Sequence, residues 1–148
     1  MSIERLAIES IKAIKNGNKI FIFGNGGSAA MSQHFAAELI GKYKHVRKAL
    51  PCIALTTDTS IITSISNDFG YEQVFVRQLE ALAKNNDVII GLSTSGKSQN
   101  VNLALSWGRK NGLVVCDFER VGSSTSEKQE NQICALHELA GMIEKAFI

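Results

Sequence analysis

Residues 19–41 read KIFIFGNGGSAAMSQHFAAELIG, and the change of character inside this stretch decides the fold. Ile20 to Phe23 are four consecutive apolar residues, branched and aromatic in turn, the composition of a short strand buried on both faces. Glycines at 24, 26 and 27 then end the strand, and a helix opens at Ser28. A strand that turns through glycines into a helix is the first half of a βα unit.

The same rhythm continues on both sides. Ile3, Leu6, Ala7, Ile11 and Ile14 recur at helical spacing with Glu4, Glu9 and Lys12 between them, which predicts an amphipathic helix ending near Asn16 and Gly17. LPCIALT (50–56) reads as a second strand, TSIITSISNDFG (59–70) as a short helix running into a turn, and YEQVFVRQLEALAK (71–84) as a helix. DVIIGLS (87–93) is a third strand, and SQNVNLALSWGRKNG (98–112) is a helix closed by Gly112. LVV (113–115) begins a fourth strand, and SEKQENQICALHELAGMIEKAF (126–147) is a long helix. Such alternation predicts an α/β fold, a three-layer αβα sandwich on an open, doubly wound parallel sheet, in one domain over 1–148. One place breaks the pattern: CDFERVGSST (116–125) reads as another strand directly after LVV, yet successive parallel strands need a crossover of a dozen or more residues. Either the two runs form one bent strand or a crossover near 115–116 is missing, and the second is the expectation.

Composition narrows the function. With 148 residues, 45% hydrophobic and 20% charged, the chain has enough apolar material for one core. The net charge of +2 is scattered, which argues against nucleic acid but leaves small anions as partners. No apolar run reaches membrane-spanning length, and no secretory leader is evident. Cys52, Cys116 and Cys134 lack CxxC spacing and sit in apolar settings, so all three are expected to be reduced core cysteines of a cytoplasmic protein.

Three features carry chemistry. Asn25, Gly26, Gly27 and Ser28 follow a strand and precede a helix, so backbone can approach a ligand and helix amides can face an anion. Ser93, Thr94, Ser95 and Ser98 set four hydroxyls around Gly96 at the end of another strand, more than a helix cap requires, which suits a phosphate monoester. Two such loops on neighbouring strands would converge at the crevice of an open sheet. His34 and Glu38 lie four apart on one helix face, where they can share a metal or a proton; taken alone the pair reads first as a solvated contact. His137, Gln129 and the Asn67-Asp68 turn are likewise structural in isolation, and His45 belongs to a basic loop.

Together these residues resemble one family, the sugar isomerase (SIS) domain proteins, and within it the phosphoheptose isomerases. The resemblance rests on GNGGSAA, QHFAAEL, ALTTDTS, NDFGYE, VFVRQLEAL, GLSTSGKSQNV and TSEKQENQICALH, and it spans nearly the whole chain. It implies an aldose–ketose isomerase acting on sedoheptulose 7-phosphate, at the entry to lipopolysaccharide or capsule heptose. Ser93, Thr94, Ser95 and Ser98 would hold the sugar phosphate, with Asn25, Gly26, Gly27, Ser28, Asp68 and Gln129 around the substrate. Glu38 would be the general base and His137 its acid/base partner. A zinc ion bound by His34, Glu38, Gln129 and His137 is also implied, as is a homotetramer with sites at subunit interfaces. Non-catalytic relatives in the wider SIS group make a regulatory phosphosugar- or initiator-binding protein the alternative. The chain departs from the family in a shorter first helix, in the missing crossover, in Lys42 where an arginine is common, and in Gln132 and Gly122.

Overall fold

The computed structural model describes residues 1–148. The elements are α1 (Ile3–Lys15), β1 (Ile20–Gly24), α2 (Gly27–Ile40), β2 (Cys52–Ala54), α3 (Thr59–Phe69), α4 (Val74–Leu82), β3 (Val88–Leu92), α5 (Gln99–Lys110), β4 (Val114–Asp117) and α6 (Thr125–Lys145). The helix expected over 71–84 opens as a 3-10 turn at Tyr71–Gln73 before α4 proper. All strands are parallel, in the order β2-β1-β3-β4. Winding therefore reverses between β1 and β3, and a crevice opens at their carboxyl ends, the place where open α/β sheets take ligands.

Strand alternation sorts the core onto two faces. Ile20 and Ile22 of β1, with Val88, Ile90 and Leu92 of β3, meet Leu6, Phe35, Leu39, Leu136, Leu139 and Ile143 of α1, α2 and α6. Phe21, Phe23 and Ile89 point the other way, to Leu79 of α4 and to Val101, Ala104 and Leu105 of α5. The three-layer expectation holds for this reason: consecutive apolar residues on a strand feed both helical layers. Burying each of Phe21, Phe23 and Phe35 completely stabilises the fold by roughly 2–3 kcal/mol. The helix α3 differs, since none of its residues is buried and Ile61 and Phe69 are exposed.

Two polar locks brace the sheet. At its amino end the wholly buried Asp87 carboxylate accepts the Lys19 and Lys84 backbone N–H groups at 2.9 and 2.8 Å and the Asn18 amide at 2.9 Å, tying β1 to β3. Beside α6, the buried Glu144 accepts the N–H groups of Tyr43, Lys44 and His45 at 3.0, 2.9 and 3.1 Å, and so pins the loop between α2 and β2. Arg47, just as buried, stands 3.7 Å from Glu144 and donates to the carbonyls of Glu38, Gly41 and Lys48.

LVV and CDF follow one another without a turn, as a chain lacking a crossover there requires, and the expectation for the cysteines needs correcting. LVV and CDF are one strand, not two: Val88, Ile89, Ile90 and Gly91 pair in unbroken register with Val114, Val115, Cys116 and Asp117. Nothing between Val115 and Cys116 can turn the chain, so the apolar run simply continues along β3. Cys134 lies on the outer side of α6 and is exposed, unlike Cys52 and Cys116. Burial pushes the Cys52 thiol far up and is the largest cause raising Cys116 to about 11.

Candidate active site

β1 and β3 deliver the Asn25 and Ser93 loops side by side. Gly24 closes β1 where a Cβ would come within 2.7 Å of the Leu92 carbonyl of β3, so only glycine lets the strand ends approach this closely. Gly26, at φ +56 and ψ −120, turns the chain into α2 and leaves that helix without a side-chain cap. The Ser28 N–H instead donates to the Asn25 carbonyl at 2.9 Å, and the Ala29 N–H to that of Gly26 at 3.0 Å. The two loops are joined by a reciprocal amide pair: Asn25 donates to Asn100 Oδ1 and Asn100 donates to Asn25 Oδ1, both at 2.9 Å. Tyr71 donates its hydroxyl to the same Asn25 oxygen at 2.9 Å. These three residues, with Glu72, Ser98 and Gln99, line a recess of about 200 Å³. A larger recess of about 440 Å³ opens at the opposite, amino end of the sheet beside Glu9, Lys12 and Asn18; it is remote from both loops, and the fold binds ligands at the carboxyl end.

The serine loop is folded on itself around its hydroxyls. Buried Ser93 Oγ accepts the Gly96 N–H at 3.0 Å and lies 3.1 Å from Ser98 Oγ and 3.4 Å from Ser95 Oγ. Ser98 stands at the N-cap of α5 yet makes no capping bond. Its hydroxyl turns into the loop, toward Ser93, instead. Thr94 is half-buried and Ser95 exposed at the rim. Ser28 is buried on α2 behind Gly24. Asp68, exposed in the last turn of α3, is held by the Asn67 amide at 2.8 Å and shares no hydrogen bond with either loop.

His34, Glu38 and His137 form a second constellation. Glu38 Oε1 is 3.0 Å from His34 Nε2 and 3.3 Å from His137 Nε2, and the two ring nitrogens are 3.0 Å apart. Tyr43 stacks on His137 with ring centroids 5.6 Å apart. Glu38 Oε2 is buried with no partner in the chain. Three lone-pair donors in a triangle of these edges fit one face of a tetrahedral metal site, in which bonds of 2.0–2.1 Å separate ligands by roughly 3.3 Å. Gln129 does not join them: its side-chain amide lies against Gly27, where a Cβ would collide with it. It precedes His137 on α6 by eight residues, about 12 Å of helix rise. Tyr43, Tyr71 and Asn100 escaped the sequence reading, although Tyr71 and Asn100 sit inside the NDFGYE and GLSTSGKSQNV motifs.

The SIS domain family model matches residues 1–118. A phosphoheptose isomerase of Aliarcobacter butzleri is 57% identical over 158 aligned positions, covering 96% of this chain and 84% of that protein. The chain belongs to the phosphoheptose isomerase family. A second member, from Campylobacter jejuni, is 50% identical and covers 92% of this chain and 82% of its own. Among solved structures, the phosphoheptose isomerase GmhA from Neisseria gonorrhoeae superposes with a TM-score of 0.88 at 34% identity, covering 97% of this chain and 85% of that one. A phosphoheptose isomerase from Francisella tularensis gives 0.91 at 27% identity with the same coverage. The SIS fold expected from the sequence is thus the fold observed. The alignment of 158 positions exceeds the 148 residues of this chain, so that family member carries residues with no counterpart here.

Proposed function

We propose that the chain is an aldose–ketose isomerase that converts sedoheptulose 7-phosphate to D-glycero-D-manno-heptose 7-phosphate, for heptose synthesis. One observation carries the reading: a carboxylate converges with two imidazoles on the helix that a ligand loop opens, in a chain of the phosphoheptose isomerase family. Ser93, Thr94, Ser95 and Ser98 bind the phosphate, assisted by the α5 amides, while Asn25, Gly26, Gly27, Ser28, Asp68 and Gln129 orient the sugar. Glu38 takes the proton from C1 of the open-chain ketose. The electron pair of that bond forms the C1–C2 double bond of a cis-enediol, and the carbonyl oxygen on C2 receives a proton. His137 moves the proton from the C1 hydroxyl as the C1 carbonyl forms, and Glu38 returns its proton to C2. Atoms are conserved and no redox partner is needed.

Zinc is the metal we infer for the triangle, held by His34, Glu38 and His137. When bound it polarises the substrate oxygens as a Lewis acid. Gln129 becomes a fourth ligand only by leaving Gly27.

We also infer a homotetramer in which each site draws on two chains. Ser28 and Glu38 are ten residues apart on α2, about 15 Å of rise, farther than the extended carbon chain of a seven-carbon sugar phosphate spans. A neighbouring chain that brings its Glu38 and His137 to the loops of the first completes the site. The unburied α3, with Ile61 and Phe69, supplies apolar surface for such contacts. The residues that relatives carry in excess are assigned to a crossover between Val115 and Cys116, absent from this chain.

The test is direct. The purified protein is incubated with sedoheptulose 7-phosphate, aldose formation is followed, and zinc is measured by elemental analysis. Glu38→Gln is expected to lower kcat by about 10³ and His137→Ala by about 10² or more. No turnover by the intact protein sinks the enzyme reading, full turnover by both variants sinks the residue assignment, and metal-free active protein sinks zinc.

A further inference from the structure

The phosphate loop as assigned above consists of hydroxyls and amides, and it leaves Arg120 unexplained. β4 ends with Asp117 beside Gly91, and the Phe118 N–H donates to the Gly91 carbonyl at 3.0 Å, so the chain leaves the sheet alongside the carboxyl end of β3. Three residues beyond Asp117, the guanidinium of Arg120 lies against the serine loop. Its Nε donates to the Ser93 carbonyl at 2.7 Å, and a Cβ built on Gly96 would come within 3.1 Å of Nε and 3.2 Å of Cζ. Its Nη2 pairs with the Asp117 carboxylate, while Nη1 has no partner in the chain. The side chain is only 27% exposed, so this is a packed group and not a waving surface cation. The unbroken β4 is what delivers it: with no crossover after Val115, the residues that follow Cys116 come directly to the end of β3.

We propose that Arg120 is the positioning residue of the phosphate loop, a guanidinium floor that fixes Ser93 through its carbonyl and sets positive charge beneath the bound dianion. Ser93 is the residue through which it acts, because the Ser93 hydroxyl holds the Gly96 N–H and meets Ser98. A guanidinium held at two points is pre-organised, so it orders the loop before the phosphate arrives. Asp117 neutralises part of its charge and tunes the strength of the anion site. The inference rests on the phosphate reading of the loop but not on turnover.

Calorimetric titration of the full chain with inorganic phosphate tests it, with thermal unfolding and substrate kinetics alongside. Arg120→Gln is expected to weaken phosphate binding about tenfold and to raise KM by a larger factor than it lowers kcat. Arg120→Lys keeps the charge without the fork and is expected to recover part of the affinity. Asp117→Asn, which frees the guanidinium, is expected to tighten phosphate binding. Wild-type affinity in a folded Arg120→Gln protein overturns the proposal. So does an equal loss in the Lys and Gln variants that follows their loss of thermal stability, since that marks a purely structural residue. Wild-type protein that binds phosphate without isomerising sugar leaves the binding arms decisive and overturns only the enzyme reading; wild-type protein that isomerises sugar but binds no phosphate overturns only this proposal.

Discussion

Glu38 owes its chemistry to the different surroundings of its two oxygens. Oε1 faces two imidazole nitrogens and Oε2 is buried with no donor in the chain, so the carboxylate is held in one orientation. Spacing along α2 reveals His34 and Glu38 but cannot reveal His137, because a partner 99 residues away is brought in only by α6 packing beside α2. The cysteines teach the same lesson from the other side. Cys134 has apolar neighbours in sequence, yet the helical turn points it outward, and only its placement on α6 separates it from Cys52 and Cys116. A thiol reagent at pH 8 is therefore expected to label one cysteine quickly, and Cys134→Ser to abolish that phase. Rapid labelling of Cys52 or Cys116 in native protein would contradict their burial and their raised thiols.

At the scale of elements, the loop between α2 and β2 shows how a segment without regular structure becomes rigid. Three successive amides end on one carboxylate, and Arg47 ties the last turn of α2 to the same place. Burial works to raise the Glu144 carboxyl, but the amides of Lys44, Tyr43 and His45 and the His45 ring together hold it below the usual carboxylate range. The folded chain thus releases the proton more readily than the unfolded one. Glu144 contributes stability above the unfolded value, near pH 4, and loses it as pH falls through the lower folded value. Glu144→Ala is expected to cost ~3 kcal/mol at pH 7, a drop in Tm on the order of 10 °C. The Tm gap between Glu144→Gln and wild type should narrow in acid; a gap that persists unchanged at pH 3 would refute the ionic origin. The sequence shows a basic loop here and nothing more, because its partner is on the last helix. Strands and helices were more legible, since their apolar periods are local. The fused β4 was less so: two strand-like runs look alike whether or not a connection lies between them.

For the whole molecule, the strand order and the two loops follow from the βα alternation, but the completeness of the site does not. If Glu38 of one chain serves the phosphate loop of another, two inactive proteins should rescue each other. Co-refolding Glu38→Gln with a Ser95→Ala, Ser98→Ala double variant is expected to restore activity at about a quarter of the sites for random assembly. A mixture as inactive as its parents would mean that each chain builds its site alone. The molecule also has two ends with different duties. The carboxyl end of the sheet holds the glycine turn and the hydroxyl-rich loop, whereas the amino end is closed by the Asp87 lock. The Asp87 lock and the two glycine- and serine-bearing loops are thereby kept a full strand length apart. A protein engineer seeking heat resistance can therefore reinforce the Asp87 lock without stiffening the Asn25 and Ser93 loops.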